Sequence, residues 1–203
     1  MPLLKEKTKF TYRDYLTWPD DERWEIIDGT AYAMSPAPNL EHQAIVGNLI
    51  AYLKQKLRGQ ACTPWVAPTD VVLSESDVVQ PDVFVVCDKN KMKGGNIQGA
   101  PDLIIEVLSP ATAKKDRWDK KNLYEHFGVK EYILIDPSAL FVERYLLGSD
   151  GQFDRGEIFD SQQTMSLKSL GEMEILLWEI FEVKGPEAEN AAPDGDASAK
   201  TEI

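Results

Sequence analysis

Residues 101–110 read PDLIIEVLSP, and one glutamate, Glu106, stands inside the apolar run Leu-Ile-Ile-Glu-Val-Leu. The length and β-branching of that run fit a strand buried on both faces, the kind found inside α/β sheets. Alternation sets Glu106 on the face of Ile104 and Leu108 and leaves Leu103, Ile105 and Val107 on the other. A buried ionised carboxylate costs several kcal/mol unless a charge meets it. Either the strand end is wet or Glu106 has a cationic partner.

Downstream, DRWDKKNLYEHFG lies within a helical stretch spanning roughly 113–127, which Gly128 ends. Asp116, Lys120 and Tyr124 are spaced i, i+4 and i+8, so they share one helical face. The strand EYILID follows and stops at Pro137. A helix returning over the same sheet can carry Lys120 to the Glu106 face. Upstream, QPDVFVV starts a further strand at Pro81, with Asp82 at its opening.

The remaining elements follow from local signals. Thr11 caps a short helix that stops at Pro19. Two strand-like runs flank Asp28-Gly29, a hairpin pair. Asn39 caps the longest helix, whose stripe Ile45, Leu49, Leu53 and Leu57 closes at Gly59. Short strands are expected around Trp65-Val66, at Val71-Val72-Leu73, in LFVERYLL and in GEIFD. CDKNKMKGGNIQGA reads as a polar loop, and LLWEIF as a last short helix or strand. The mixed order predicts an α/β fold with helices on the faces of its sheet. Residues 1–184 are expected to form one domain and residues 185–203 a disordered acidic tail.

The chain has 203 residues and a net charge of −12, with 43% hydrophobic and 28% charged residues. The tail holds five acids against one base, which leaves the remainder at −8. That excludes a broad basic face for nucleic acid, so any DNA contact is local or metal-assisted. No apolar stretch has the length of a membrane span and no signal peptide opens the chain, so no membrane partner is expected. The two cysteines, Cys62 and Cys87, form neither a disulfide framework nor a zinc pattern. They are expected as reduced thiols in a cytoplasmic protein.

WEIIDGTAYAMSPAPNLEHQ, QPDVFVV and PDLIIEVLSPATAKKDRWDKKNLYEHFGVKEYILIDP together resemble the Uma-two family of restriction-endonuclease-like proteins, within the PD-(D/E)XK nuclease superfamily. The resemblance runs from about residue 10 to 183. It implies a restriction-endonuclease-like mixed β-sheet flanked by helices. It implies Asp82 and Glu106 as metal-binding carboxylates, the Val107 carbonyl as a further ligand, and Lys120 as the catalytic lysine. Glu25, His42 and Tyr124 are possible additional site residues. Asp102, in the second Pro-Asp pair, is a decoy because the motif acid precedes the glutamate-bearing strand. The superfamily's usual lysine two residues after the glutamate is Leu108 here, and the resemblance implies that Lys120 replaces it from the helix. Gln80 stands where a basic residue often precedes the Pro-Asp pair, with little consequence expected.

Hard oxygen ligands suit Mg²⁺ or Mn²⁺. The expected activity is therefore metal-dependent endonucleolytic hydrolysis of DNA phosphodiester bonds. Lys89, Lys91 and Lys93, or Lys114, Lys115, Arg117 and Lys121, are candidate backbone contacts. A catalytically silent module binding DNA or a protein partner is the alternative, favoured by Leu108 and the acidic body. A glycoside hydrolase using Asp82 and Glu106 has little else to support it. Cutting two strands is simplest with two symmetry-related sites, so a homodimer is expected.

Overall fold

A computed structural model describes residues 9–19, 21–34 and 39–186. Residues 187–203, which hold nearly all of the expected tail, lie outside the described residues. The elements in chain order are α1 (Tyr12–Tyr15), β1 (Trp24–Ile27), β2 (Thr30–Ala33), α2 (Leu40–Lys56), β3 (Thr63–Val66), β4 (Val71–Ser74), β5 (Asp77–Val79), β6 (Val83–Val86), β7 (Met92–Lys93), β8 (Asn96–Gln98) and β9 (Leu103–Val107). A helix follows in three parts: α3 (Ala113–Lys115), a π-helical turn over Asp116–Lys120, and α4 (Lys121–His126). Then come β10 (Glu131–Asp136), β11 (Phe141–Leu146), β12 (Glu157–Asp160), β13 (Thr164–Leu167), β14 (Met173–Leu176) and α5 (Leu177–Ile180).

The strands form two six-stranded sheets and a hairpin rather than one sheet. One sheet has the order β2-β1-β5-β4-β8-β7 and the other β12-β11-β10-β9-β6-β3, with β13-β14 apart. β9 and β10 are parallel neighbours, joined by the three-part helix as the crossover. β6 lies antiparallel on the other side of β9.

β9 is buried along its whole length, as its composition requires. Leu103, Ile105 and Val107 enter one core with Ile45, Leu49 and Leu53 of α2 and Leu177 and Ile180 of α5. Ile104 and Leu108 enter another, with Val71, Val79, Leu123 and Tyr124, between the two sheets and the crossover helix. Burying each such side chain contributes about 1.5–3 kcal/mol, which fixes the register, because a one-residue slip would exchange the faces. A third, aromatic-rich cluster holds Phe10, Trp24, Ile26 and Val78 against α1.

The local signals account for the ends. Thr11 forms a capping box with Asp14, and the Asn39 side chain accepts from the His42 N–H. Asp28 and Gly29 have φ of 45° and 70°, the left-handed pair that a two-residue hairpin takes. Gly128, at φ 79°, ends the crossover helix. The expected polar loop instead contains a short 3₁₀ turn and the β7–β8 hairpin, because Gly94 and Gly95 both take positive φ and turn the chain.

The cysteines depart from expectation. Cys62 and Cys87 form a disulfide. Each lies one residue beyond the pair Thr63 and Val86 in the antiparallel β3–β6 ladder, so the register brings them opposite one another. No helix among the described residues is long and apolar enough to cross a membrane.

Candidate active site

Asp82 stands immediately before β6, and Glu106 is the fourth residue of β9. Because these neighbours run antiparallel, the start of one lies beside the end of the other. The Val107 N–H donates to Asp82 Oδ2 at 2.8 Å, and the Asp82 N–H donates to Glu106 Oε2 at 3.2 Å. The two carboxylates are thus fixed by each other's backbone before any side chain arrives.

The crossover helix supplies the cation. Lys120 Nζ lies 2.9 Å from Glu106 Oε1, which also accepts from the Tyr124 hydroxyl at 2.9 Å. The same ammonium lies 2.8 Å from Glu25 Oε1 and 3.7 Å from Asp116 Oδ1. Glu25 projects from β1 of the other sheet, so Lys120 ties the two sheets and the helix together. The second oxygen of Glu25 meets Lys115 Nζ at 2.6 Å. The π turn runs from Asp116 to Lys120, directly after Lys115, and widens the helix where these groups converge, a placement common at functional positions.

Electrostatics separates the two glutamates. Burial pushes the Glu25 carboxyl up, but the Lys120 and Lys115 ammoniums more than reverse this and hold it at about 2. Burial also pushes Glu106 up. Lys120 opposes, yet the neighbouring Asp82, Asp116 and Glu25 acids leave it at about 8. Asp116 is raised as well, mainly by burial. For Lys120 burial disfavours the charge, but Glu106, Glu25 and Asp116 hold the ammonium well above its ordinary value.

His42, in the first turn of α2, places Nε2 3.2 Å from Asp82 Oδ2. Burial lowers its pKa, but the Asp82 carboxylate and the Val107 carbonyl raise it overall. Its Nδ1 is buried without a hydrogen-bond partner. All these groups except Tyr124 line a cleft of about 790 Å³ that also includes Val46, Val66, Tyr32, Arg23, Lys114 and Lys115. The carboxylates on the cleft wall are those of Glu25, Asp82, Glu106, Asp116 and Asp119, and among the described residues no three His, Cys, Asp or Glu side chains are grouped to hold a metal ion by themselves.

Every site residue expected from the sequence therefore falls at one place: Asp82, Glu106, Val107, Lys120, Glu25, His42 and Tyr124. Asp102 lies at the far end of β9, where Cys87 N–H and Lys130 Nζ meet its carboxylate at 2.8 and 2.7 Å. Lys89, Lys91 and Lys93 do not line the cleft, and Lys91 donates to the Ala100 carbonyl. Arg117 pairs with Glu143, and Lys121 sits over the Tyr145 ring.

Gln80 has more consequence than expected. Its side-chain oxygen accepts two hydrogen bonds from Arg23, its nitrogen donates to Asp70 and Tyr15, and its N–H donates to Glu25 Oε1. A cationic side chain there would face the Arg23 guanidinium. The Lys115–Glu25 pair was also outside the sequence reading, and only the doublet Lys114-Lys115 marked it.

Comparison with known proteins bears on the fold and the family. A solved structure from Anabaena variabilis, described as a putative nuclease belonging to DUF820, superposes with a TM-score of 0.70 at 20% identity, covering 85% of this chain and 98% of that one. It shares the fold. An uncharacterized protein of Synechocystis sp., slr1290, is 28% identical over 169 residues, 80% of this chain and 87% of the relative. The family model Uma2, described as "Putative restriction endonuclease", matches residues 12–177. With that match covering most of its length, the chain belongs to the Uma2 family and has the restriction-endonuclease-like fold.

Proposed function

We propose that the cleft hydrolyses phosphodiester bonds in DNA with a divalent cation, Mg²⁺ or Mn²⁺, held by Asp82, Glu106 and the Val107 carbonyl. One observation carries the reading: the crossover helix brings the Lys120 ammonium to 2.9 Å from Glu106, beside Asp82. The strand itself offers only Leu108 two residues after Glu106.

The charges favour a cation. Glu25, Glu106 and Asp116 converge on two ammoniums with Asp82 close by, and burial first, then the neighbouring acids, raise Glu106 to about 8 against the pull of Lys120. A divalent ion would supply the missing charge and meet oxygens of the hardness it prefers. Once bound, it would act as a Lewis acid on a phosphoryl oxygen and acidify a water.

The chain's own groups do the rest. The Val107 N–H and His42 orient Asp82. Tyr124 and Lys120 hold one oxygen of Glu106 and leave Oε2 toward Asp82. Lys120 places fixed positive charge beside the carboxylates, where it lowers the cost of negative charge developing on the phosphoryl oxygens. Glu25 keeps Lys120 in place from the opposite sheet.

A second reading, a catalytically silent module binding DNA or a protein partner, draws on one fact: Lys120 is almost fully buried among carboxylates. Cleavage of supercoiled plasmid in Mg²⁺ or Mn²⁺, with an EDTA control, separates the two. The nuclease reading expects metal-dependent nicking that is lost in Glu106→Gln and Lys120→Ala proteins shown to be folded by circular dichroism. Nicking that survives in both variants, or none by the wild type on duplex, single-stranded and branched DNA, contradicts it. Cutting both strands of a duplex is simplest with two such clefts, so the proposal includes a homodimer, which sedimentation with and without DNA tests.

A further inference from the structure

The cleft contains two lysines, and they are not equivalent. The Lys120 side chain is 5% exposed, and its ammonium is surrounded by Glu106, Glu25 and Asp116. Lys115 emerges just before the π turn of the same helix, and its side chain is 15% exposed on the cleft wall. Its Nζ is anchored by Glu25 Oε2 at 2.6 Å and lies 5.4 Å from the centre of the Tyr32 ring. Glu25 thus holds one ammonium on each oxygen, Lys120 inside and Lys115 toward the opening.

We propose that Lys115 is the substrate-binding cation of this cleft, contacting a non-bridging phosphate oxygen of the nucleic-acid backbone, while Lys120 positions Glu106. The proposal rests on the nuclease reading above and assigns to a second residue the contact that Lys120 is too enclosed to make. Three features support it. An ammonium has three donors, and one salt bridge leaves capacity for a phosphate oxygen. The Glu25 and Tyr32 contacts restrict a long side chain, so less entropy is lost when it binds. Lys115 also lies on the same cleft wall as Lys114 and Thr112, so the backbone would pass along the start of the crossover helix beside Asp82 and Glu106. An overall net charge of −12 leaves few cations for this contact; Arg117 and Lys121 are engaged elsewhere, and Lys114, exposed on the same wall, would follow the backbone beside Lys115.

The test uses the full chain with Lys115→Met, Lys115→Arg and, as a far-end control, Lys130→Met. Two quantities are measured: cleavage of a duplex oligonucleotide in Mg²⁺, and its binding by fluorescence anisotropy in Ca²⁺ over a range of salt. Lys115→Met is expected to raise KM and Kd about tenfold and to reduce the slope of log K against log salt by about one, the loss of one phosphate contact. Its kcat should stay within about twofold of wild type. Lys115→Arg should restore binding, and Lys130→Met should match wild type. A Lys115→Met protein with unchanged KM and salt slope overturns the proposal while the nuclease reading stands. So does one that loses kcat alone, because Lys115 would then act only through Glu25 and Lys120. A wild type that neither binds nor cleaves the duplex overturns both.

Discussion

The chain contains two Pro-Asp pairs that look alike in sequence and play the same part in the backbone. Asp82 precedes β6 and accepts the N–H of Val107 at the end of β9. Asp102 precedes β9 and accepts the N–H of Cys87 just past the end of β6. Each carboxylate satisfies a backbone donor that its neighbour's ladder leaves open, a requirement of any buried sheet end. The surroundings differ. At the Asp82 end, three further acids and two lysines converge in a cleft. At the Asp102 end the carboxylate meets one exposed lysine, Lys130, with Lys91 close enough to act on it through space and no further acid among its partners. Pro-Asp is thus a device for starting a strand. What turns one copy into a candidate active site is the glutamate on the next strand and the helix that crosses over it.

Removing the lysine at each end gives the largest contrast. Lys120→Met leaves Glu25 with one cationic partner, Lys115, and Glu106 with only neutral ones, and it should cost about 3–5 kcal/mol in urea unfolding. Lys130→Met, where the lysine is exposed and the buried Asp102 carboxylate keeps the Cys87 N–H, should cost less, about 1 kcal/mol. Equal losses would mean that the cleft charges are as well solvated as the Lys130 ammonium.

Altering the acids sharpens the comparison through function. Glu106→Gln should cut metal-dependent cleavage by about 100-fold or more, with thermal stability equal to wild type or higher. Asp102→Asn should lower stability by about 1–3 kcal/mol, through a weakened charged hydrogen bond, with cleavage per folded molecule unchanged. Loss of cleavage in Asp102→Asn with retained structure would break the assignment.

The smallest effect is in pH dependence. Glu25 is held at about 2, below its ordinary 4.5, so its stabilisation is present above pH 4.5 and is lost as pH falls toward 2. Asp102 is lowered too: burial opposes ionisation, but Lys130 and the Cys87 N–H prevail. Its contribution is likewise lost in acid. Glu106, raised to about 8, acts oppositely, stabilising the metal-free fold at low pH and ceasing to do so as pH rises through 8. Glu25→Gln should therefore flatten the acid limb of the unfolding curve more than Asp102→Asn does. Chemical denaturation between pH 2 and 5 measures this, and identical acid limbs in all three proteins would contradict it.

What the sequence revealed, it revealed through short-range grammar. The Leu103–Val107 strand, its two faces, the Asp28-Gly29 hairpin and the Asn39 cap all depend on a few adjacent residues. The i, i+4, i+8 face of Asp116, Lys120 and Tyr124 survives the π turn: both Asp116 and Tyr124 still reach the Lys120–Glu106 cluster. The division into two sheets was not legible, because β5, β7 and β8 are two or three residues long and carry no periodicity. Nor was the pairing of Glu25 with Lys115, which are ninety residues apart. The disulfide likewise needs the β3–β6 register, which composition does not encode.

The central claim is that the Asp82 end, and not the Asp102 end, holds the cation. The most direct test titrates Mn²⁺ into wild type, Asp82→Asn and Asp102→Asn, reading free Mn²⁺ by electron paramagnetic resonance. The account predicts one site of equal affinity in wild type and Asp102→Asn, and binding at least about tenfold weaker in Asp82→Asn. Wild-type affinity in Asp82→Asn, loss in Asp102→Asn, or no uptake by the wild type would contradict it.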